Sequence, residues 1–548
     1  MFSPYRYPVN GTIRTRDERI IRLYQNAEQF LQEPCIWEGL FDIACLIKSR
    51  PDKEKVYRLI YKGISETETG EFPGTVSDQV CIARAALSVF EYNTDKTILR
   101  RLGAWLRYLE IEFDQIMVHD NILYQPADLM EFLVQYYNIT GMKSVLRICA
   151  RLRAAAFDWT TALHTFQQSI PIRKEEWQQT IPEIRCKPDE IDYDTKESII
   201  NHAEMLADGV RYTLSAGMFS GHKQDLSSGR TVWEYLSRHH RAICGGTSAN
   251  PYLCGSAPDQ PVSNSVIAAW TEAFASQMVQ NDSEWALDEL IRIIYNGLNE
   301  CLNHDEISAY QRVNTIQNKV YKTEKEYYLY ARLTRAAANA YRHAFTMTET
   351  GIRINYLLSG KYMLTSGNSR ILLHADQKSV IFRCEEKIHA SVDLHISRFG
   401  TSNVNLIDGK QGTISKIDHN IPQTGFYIRT EKYWDNGDGF LLETDSNVVY
   451  EDTHHQGVCF FSENKLLTVS ATPSGYAYAA CEYPKQKEGK IIIGLAETDK
   501  WPIREEEPAD IPVLPSGLFQ VTHTEMIPYS KNNCRIAMFP KAGNLCLK

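Results

Sequence analysis

From about residue 15 to about residue 345, apolar positions recur with a helical period. Leu287, Leu290, Ile291, Ile294 and Leu298 follow the i, i+3, i+4, i+7 spacing of one amphipathic stripe. Asn281-Asp282-Ser283 precedes that run and offers capping side chains. Leu129, Phe132, Leu133 and Tyr136 form another stripe, and loops such as Asn93-Thr94-Asp95 and Thr140-Gly141 separate such segments. A long run of helical hairpins closes into a toroid or stacks as a solenoid. No fixed-period repeat is found, which favours the toroid.

After Gly351 the period shortens to two. Ile352-Arg353-Ile354-Asn355-Tyr356 and Ser391-Val392-Asp393-Leu394-His395-Ile396 alternate, and turn pairs such as Asp408-Gly409 and Asn436-Gly437 punctuate the strands. The pattern predicts an antiparallel β-sandwich region. The fold class expected is therefore multidomain α + β. A helical domain spans residues 1–350, and a β region of one or two subdomains spans 351–548.

Composition narrows the function classes. A chain of 548 residues exceeds one ordinary core. Its net charge of -9, with no long basic run, argues against nucleic acid as a partner. Thirteen cysteines stand singly without a CxxC pair, as expected of reduced thiols in the cytoplasm. The residues after Met1 lack the pattern of a secretory signal, and no stretch approaches the roughly 20 apolar residues of a membrane span. The paired histidines His239-His240 and His454-His455 point apart on a helix or strand and read as surface.

Several short motifs converge on one family. Asn201-His202-Ala203 starts a helical segment, and Arg241-Ala242-Ile243-Cys244-Gly245-Gly246-Thr247 follows as a glycine loop. Ile294-Tyr295-Asn296-Gly297-Leu298 and Val313-Asn314 come next, then Trp434-Asp435-Asn436-Gly437-Asp438 and Met526-Ile527-Pro528-Tyr529 with Asn533. In order and spacing this set resembles glycoside hydrolase family 127, the β-L-arabinofuranosidase-like family. The resemblance spans roughly residues 100 to 545. It implies a six-hairpin α/α barrel followed by β-sandwich domains, action on a small carbohydrate or oligosaccharide, and a homodimer formed through the β region.

The same resemblance implies a zinc–thiolate active site, and there the chain departs. Ser263-Asn264-Ser265 stands where the family has an E-T-C helix start, and Tyr328-Leu329 where it has a thiolate ligand and the cysteine nucleophile. The loop from Thr247 to Gln260 lacks the family's acid/base glutamate. Zinc needs about four converging N, S or O ligands. Hydroxyls, an amide and a leucine do not replace thiolates and a carboxylate. No metal and no cofactor is expected.

Hydrolysis would then need another carboxyl pair. Asp128 is the first candidate, at the place of a family histidine, although Asp128 and Glu131 also form the D-x-x-E pattern of a capping box. Asp259, in the loop after Gly245-Gly246, is the second. His202, Gly245, Gly246, Ser263, Asn264, Tyr310, Arg312 and Tyr328 are the expected substrate-binding residues. Three readings stay open: a carbohydrate-active hydrolase working through carboxylates, a catalytically silent sugar-binding or partner-binding paralogue with a degenerate active site, and, more distantly, a lyase or epimerase on the same toroid with His and Tyr as acid and base.

Overall fold

The computed structural model describes residues 13–65, 69–117, 121–172, 188, 191, 193–258, 260–315, 320–323, 325–347, 351–366, 369–384, 387–400, 402–417, 425–444, 448–453, 457–471, 477–498 and 521–540. Asp259, the His454-His455 pair and residues 348–350 before the expected domain boundary lie outside them.

The first half is helical. Six of its helices form a succession: α1 (Trp37–Leu46), α2 (Val76–Asn93), α3 (Ala127–Thr140), α4 (Ala203–Ser220), α5 (Asn264–Asn281) and α6 (Glu326–His343). Each packs on the next, and α6 returns to pack on α1. Other helices lie outside this ring. Arg50–Gly63 packs on α1 and α2, Lys143–Ala155 on α3, Lys223–His239 on α4, and Glu284–Arg292 on α5.

Local chemistry sets the ends. Thr75 and Asp78 form a reciprocal capping box at the start of α2, where the Thr75 hydroxyl accepts from the Asp78 N–H at 3.2 Å. Gly141 and Gly221 close α3 and α4 in the left-handed conformation. The predicted stripe Leu287, Leu290, Ile291, Ile294, Leu298 is buried, and it runs from the helix Glu284–Arg292 through a π-helical turn at Ile293–Leu298. The expected cap differs. Ser283 makes no side-chain cap bond, and Asp282 instead ends α5 at φ 48°. The ring closes tightly because Gly39 on α1 has no side chain; a Cβ there would lie 2.2 Å from the Thr334 hydroxyl of α6.

The second half is built of sheets, antiparallel throughout the described pairs except between Gly351–Ile354 and Ile388–Ile396. A four-stranded sheet runs Phe426–Trp434, Ile388–Ile396, Gly351–Ile354, Phe345–Met347. A seven-stranded sheet takes its first strand, Ile13–Arg14, from the other end of the chain, pairing Ile13 with Tyr362. One hydrophobic core continues from the helices into these two sheets. A nine-stranded sheet carries its own core of Val458, Phe460, Val469, Ile493 and Phe539 among others.

Asparagines clamp the halves together. The Asn314 amide oxygen accepts from the N–H groups of Ala537 and Met538 at 2.8 and 3.1 Å, and its nitrogen donates to the Met538 carbonyl at 3.0 Å. Asn296, in the π-helical turn, accepts from Leu466 N–H at 2.6 Å and donates to the Asn464 carbonyl at 3.1 Å. No described helix is long and apolar enough to cross a membrane.

Candidate functional site

The six ring helices are apolar where they touch each other, yet each sends charge to one shared centre. Glu38 comes from α1, Arg84 from α2, Asp128 and Glu131 from α3, Asp208 and Arg211 from α4, Glu272 from α5, and Arg332 and Arg335 from α6. Arg84 pairs with Glu38 at 2.8 Å and Asp128 at 2.5 Å. Arg211 reaches Asp128 at 2.8 Å, Asp208 at 3.0 Å and Glu272 at 3.4 Å, and also bonds Glu131. Arg335 reaches Asp128 at 2.8 Å and Glu272 at 3.1 Å, while Arg332 takes Glu272 at 3.2 Å and both oxygens of Asp208. Buried ions demand this mutual compensation, because an unpaired charge out of water is costly.

Asp128 does not form the capping box expected of it. Pro126 occupies the N-cap of α3 with no side-chain bond, so Asp128 and Glu131 form no capping box. Burial would raise the Asp128 pKa, but Arg335, Arg84, Arg211 and Arg332 outweigh it and hold the carboxyl well below its usual range. A carboxylate so held does not act as a general acid near neutrality.

A second cluster lies one helical turn along α4 from Asp208, around Glu204. Its frame is a two-stranded ribbon, Pro261–Ser263 with Tyr310–Arg312, which sets Ser263 opposite Tyr310. The glycine loop crosses beside it, with Ala249 bridged to Val262 and Tyr252 to His202. Ser263 and Ser265 share a hydrogen bond at 2.8 Å, and Ser265 donates to Glu204 Oε1. Tyr328 accepts from Arg332 Nε at 3.1 Å and Nη2 at 2.9 Å, and so joins this cluster to the charged centre. His202 caps the N-terminus of α4 edge-on to the Tyr252 ring at 5.5 Å, with its buried Nδ1 unpartnered. Burial lowers its pKa against the pull of Glu204 and Asp208, so the ring is neutral. The Tyr328 phenol is pushed up, first by burial, and Glu204 and Asp208 add to this against Arg332.

The other expected residues scatter. Gly245 and Gly246 are buried against Ile293 and Trp270; a Cβ on Gly245, at φ 109°, would lie 2.8 Å from the Ile293 Cα. Asn264 donates to the Ser308 carbonyl at 2.6 Å and accepts from Gln311 at 2.8 Å, which leaves little for a ligand. Asn264, Tyr310 and Arg312 line a separate cavity of about 280 Å³ beside the ion pair of Glu300 and Arg535. Tyr310 reaches the Asn250 carbonyl at 3.4 Å. Asp259 lies outside the described residues.

Ser263, Ser265 and Tyr328 offer hydroxyls, Leu329 is buried in the core, and the described residues include no group of three His, Cys, Asp or Glu side chains placed to hold a metal. Cys244 is no substitute nucleophile: burial pushes its thiol up to about 12. Of the residues that matter, sequence reasoning missed Glu204, Arg84, Arg211, Arg332 and Arg335. Their one visible signal is charge inside apolar helical runs, as with Asp208 and Arg211 within the buried stretch from Ala203 to Gly217.

No protein-family model and no curated protein matches the chain. Solved structures do. A glycoside hydrolase superposes with a TM-score of 0.70 at 10% identity, over 99% of this chain and 98% of its own. The GH127 β-arabinofuranosidase BT3674 gives 0.64 at 10% identity, with 98% of each chain covered. The GH127 β-L-arabinofuranosidase Ara127N from Geobacillus stearothermophilus T6 gives 0.62 at 11% identity, over 95% of this chain and 91% of its own. The chain thus shares the fold of these glycoside hydrolases from end to end, and the family its motifs resemble is the family among its structural neighbours.

Proposed function

We propose that this protein is a carbohydrate-binding relative of the β-L-arabinofuranosidases that has given up their zinc–thiolate chemistry. In this reading the ring α1–α6 is the inner wall of a six-hairpin toroid over residues 1–350, followed by a β-sandwich region over 351–548. The sugar sits at the toroid's mouth, against His202, Glu204, Ser263, Ser265 and Tyr328. One observation carries the proposal. Three of the four positions where the resembled family would grip zinc or attack the sugar hold hydroxyls, Ser263, Ser265 and Tyr328, and two of these are chained to one carboxylate, Ser263 to Ser265 to Glu204. Such a set binds sugar hydroxyls.

Glycosidases place two carboxyls across the scissile bond, one of them able to donate a proton. Here the neighbouring carboxylates Asp208 and Glu272 are bound to Arg211 and Arg332. The silent reading is therefore preferred. The hydrolase reading keeps one point in its favour, because no described cation pairs with Glu204.

The test is calorimetry with a panel of monosaccharides beside an assay on the matching aryl glycosides. Saturable binding without release of the aryl group is expected. Turnover abolished by Glu204→Gln would replace the silent reading with hydrolysis, and turnover abolished by Asp128→Asn but not by Glu204→Gln would move the chemistry to the charged centre. Light scattering on the same sample tests the expected homodimer.

A further inference from the structure

Glu204 differs from every carboxylate beneath it. Glu38, Asp128, Glu131, Asp208 and Glu272 each touch at least one guanidinium. Glu204 is 9% exposed, accepts one hydroxyl hydrogen bond, from Ser265 on Oε1, and has no cationic partner among the described residues. A carboxylate offers about four acceptor positions, so most of its capacity is unused. The charged centre does not supply the missing cation. Its four arginines face five carboxylates of their own.

We propose that the mouth cluster is built for an amino sugar, whose protonated amine binds Glu204 while its ring hydroxyls meet Ser265, Tyr328 and His202. The proposal rests on the sugar-binding reading and names the substrate class for that site. A neutral sugar would fill hydrogen-bond positions but leave a desolvated negative charge uncompensated. An ammonium group supplies both the donors and the charge. The remaining groups are neutral and suit hydroxyls. The Tyr328 oxygen accepts from Arg332 and keeps its own proton to donate, Ser263 and Ser265 are hydroxyls, and His202 has a free, buried Nδ1. A metal cation is a poor alternative, since Glu204 and His202 alone fall short of a coordination shell.

The experiment compares three probes on the full-length protein by calorimetry at about pH 6, where a sugar amine carries its proton. The probes are D-glucosamine, its uncharged N-acetyl derivative and D-glucose, with methylammonium as a non-sugar cation. Glucosamine is expected to bind roughly tenfold to a hundredfold tighter than glucose, the gain of a charge-assisted over a neutral hydrogen bond. Glu204→Gln, checked for folding by circular dichroism, should abolish that preference; the wild-type comparison stands without it. Equal binding of glucosamine and glucose overturns the amino-sugar inference and leaves the sugar reading intact. Methylammonium binding as tightly as glucosamine, with neither neutral sugar bound, overturns the sugar reading as well. A preference that survives Glu204→Gln also sinks the inference, because another group would then be its source.

Discussion

The centre of the helical ring and the seam between the halves are both buried and polar, but the centre is held chiefly by ion pairs, whereas the seam adds neutral amides to ion pairs such as Arg292–Glu451 and Arg535–Glu300. At the seam, neutral amides satisfy backbone groups one for one: Asn314 makes three such bonds and Asn296 two to the neighbouring sheet segment. At the ring centre, full charges from six helices compensate each other. Two of the motif asparagines that resemble a glycosidase family, Asn296 and Asn314, lie at the seam, whereas the departing residues Asp128, Ser263, Ser265 and Tyr328 lie at the centre and beside Glu204.

If that contrast is right, damage at the centre costs more than damage at the seam. Arg211 touches four carboxylates, so Arg211→Met leaves buried negative charge without its main partner. Urea unfolding should show a loss of about 3–5 kcal/mol, or no folded protein at all. A loss under about 1 kcal/mol would mean that the centre is wet and its charges are screened. At the seam, Asn314→Ala strands two N–H groups and a carbonyl, all buried, and about 2–3 kcal/mol should go. Should the seam variant prove the more damaging, the ordering of the two regions falls.

The two regions also differed in how far the sequence exposed them. Helical stripes and strand alternation are local, so the helical first half and sheet-built second half could be read from periodicity alone. Motifs at the seam were legible because Asn314, Asn296 and Gly245 answer fixed backbone geometry, and fixed geometry keeps its spacing. The charged centre is assembled from six helices spread from Glu38 to Arg335. No local pattern announces which charges will meet, so Asp128 read as a cap or a catalyst. The strand Ile13–Arg14, which joins a sheet more than 300 residues away, was invisible for the same reason. Glu204 was hidden differently. An acidic residue in the first turn of a helix ordinarily complements the helix dipole and attracts no notice.

Acid titration separates charged from neutral burial. His240, His343 and His395 are buried, His240 against the surface position expected of it, and burial lowers their pKa to about 4, 3 and 3. Unfolding frees each to protonate near 6.5, so below that pH the unfolded chain binds more protons and stability falls with falling pH. The slope is about 1.4 kcal/mol per pH unit for each histidine. Below about pH 4 the arginine-held carboxylates Asp128 and Asp208 add to the loss, because their folded pKa values are depressed. A stability curve flat from pH 7 to 5 would mean that these histidines are hydrated.

The smallest effect should carry the opposite sign. Asp288 lies at the seam between the helix Glu284–Arg292 and the strand Ile388–Ile396, 4.0 Å from His395, and burial raises its pKa to about 6 even though Arg398 pulls it down. For an acid with a raised folded pKa, the native state binds the extra proton. Stability therefore falls as pH rises from about 4 to about 6, and at neutrality the buried charge is a cost. Asp288→Asn removes that charge and keeps an oxygen for the Gly425 N–H, which Asp288 now accepts at 3.4 Å. The variant should gain about 1 kcal/mol at pH 7 and nothing at pH 4, measured by urea unfolding at both. No difference between variant and wild type at either pH would show that Arg398 fully compensates Asp288, as Arg292 pairs with Glu451 elsewhere at this seam.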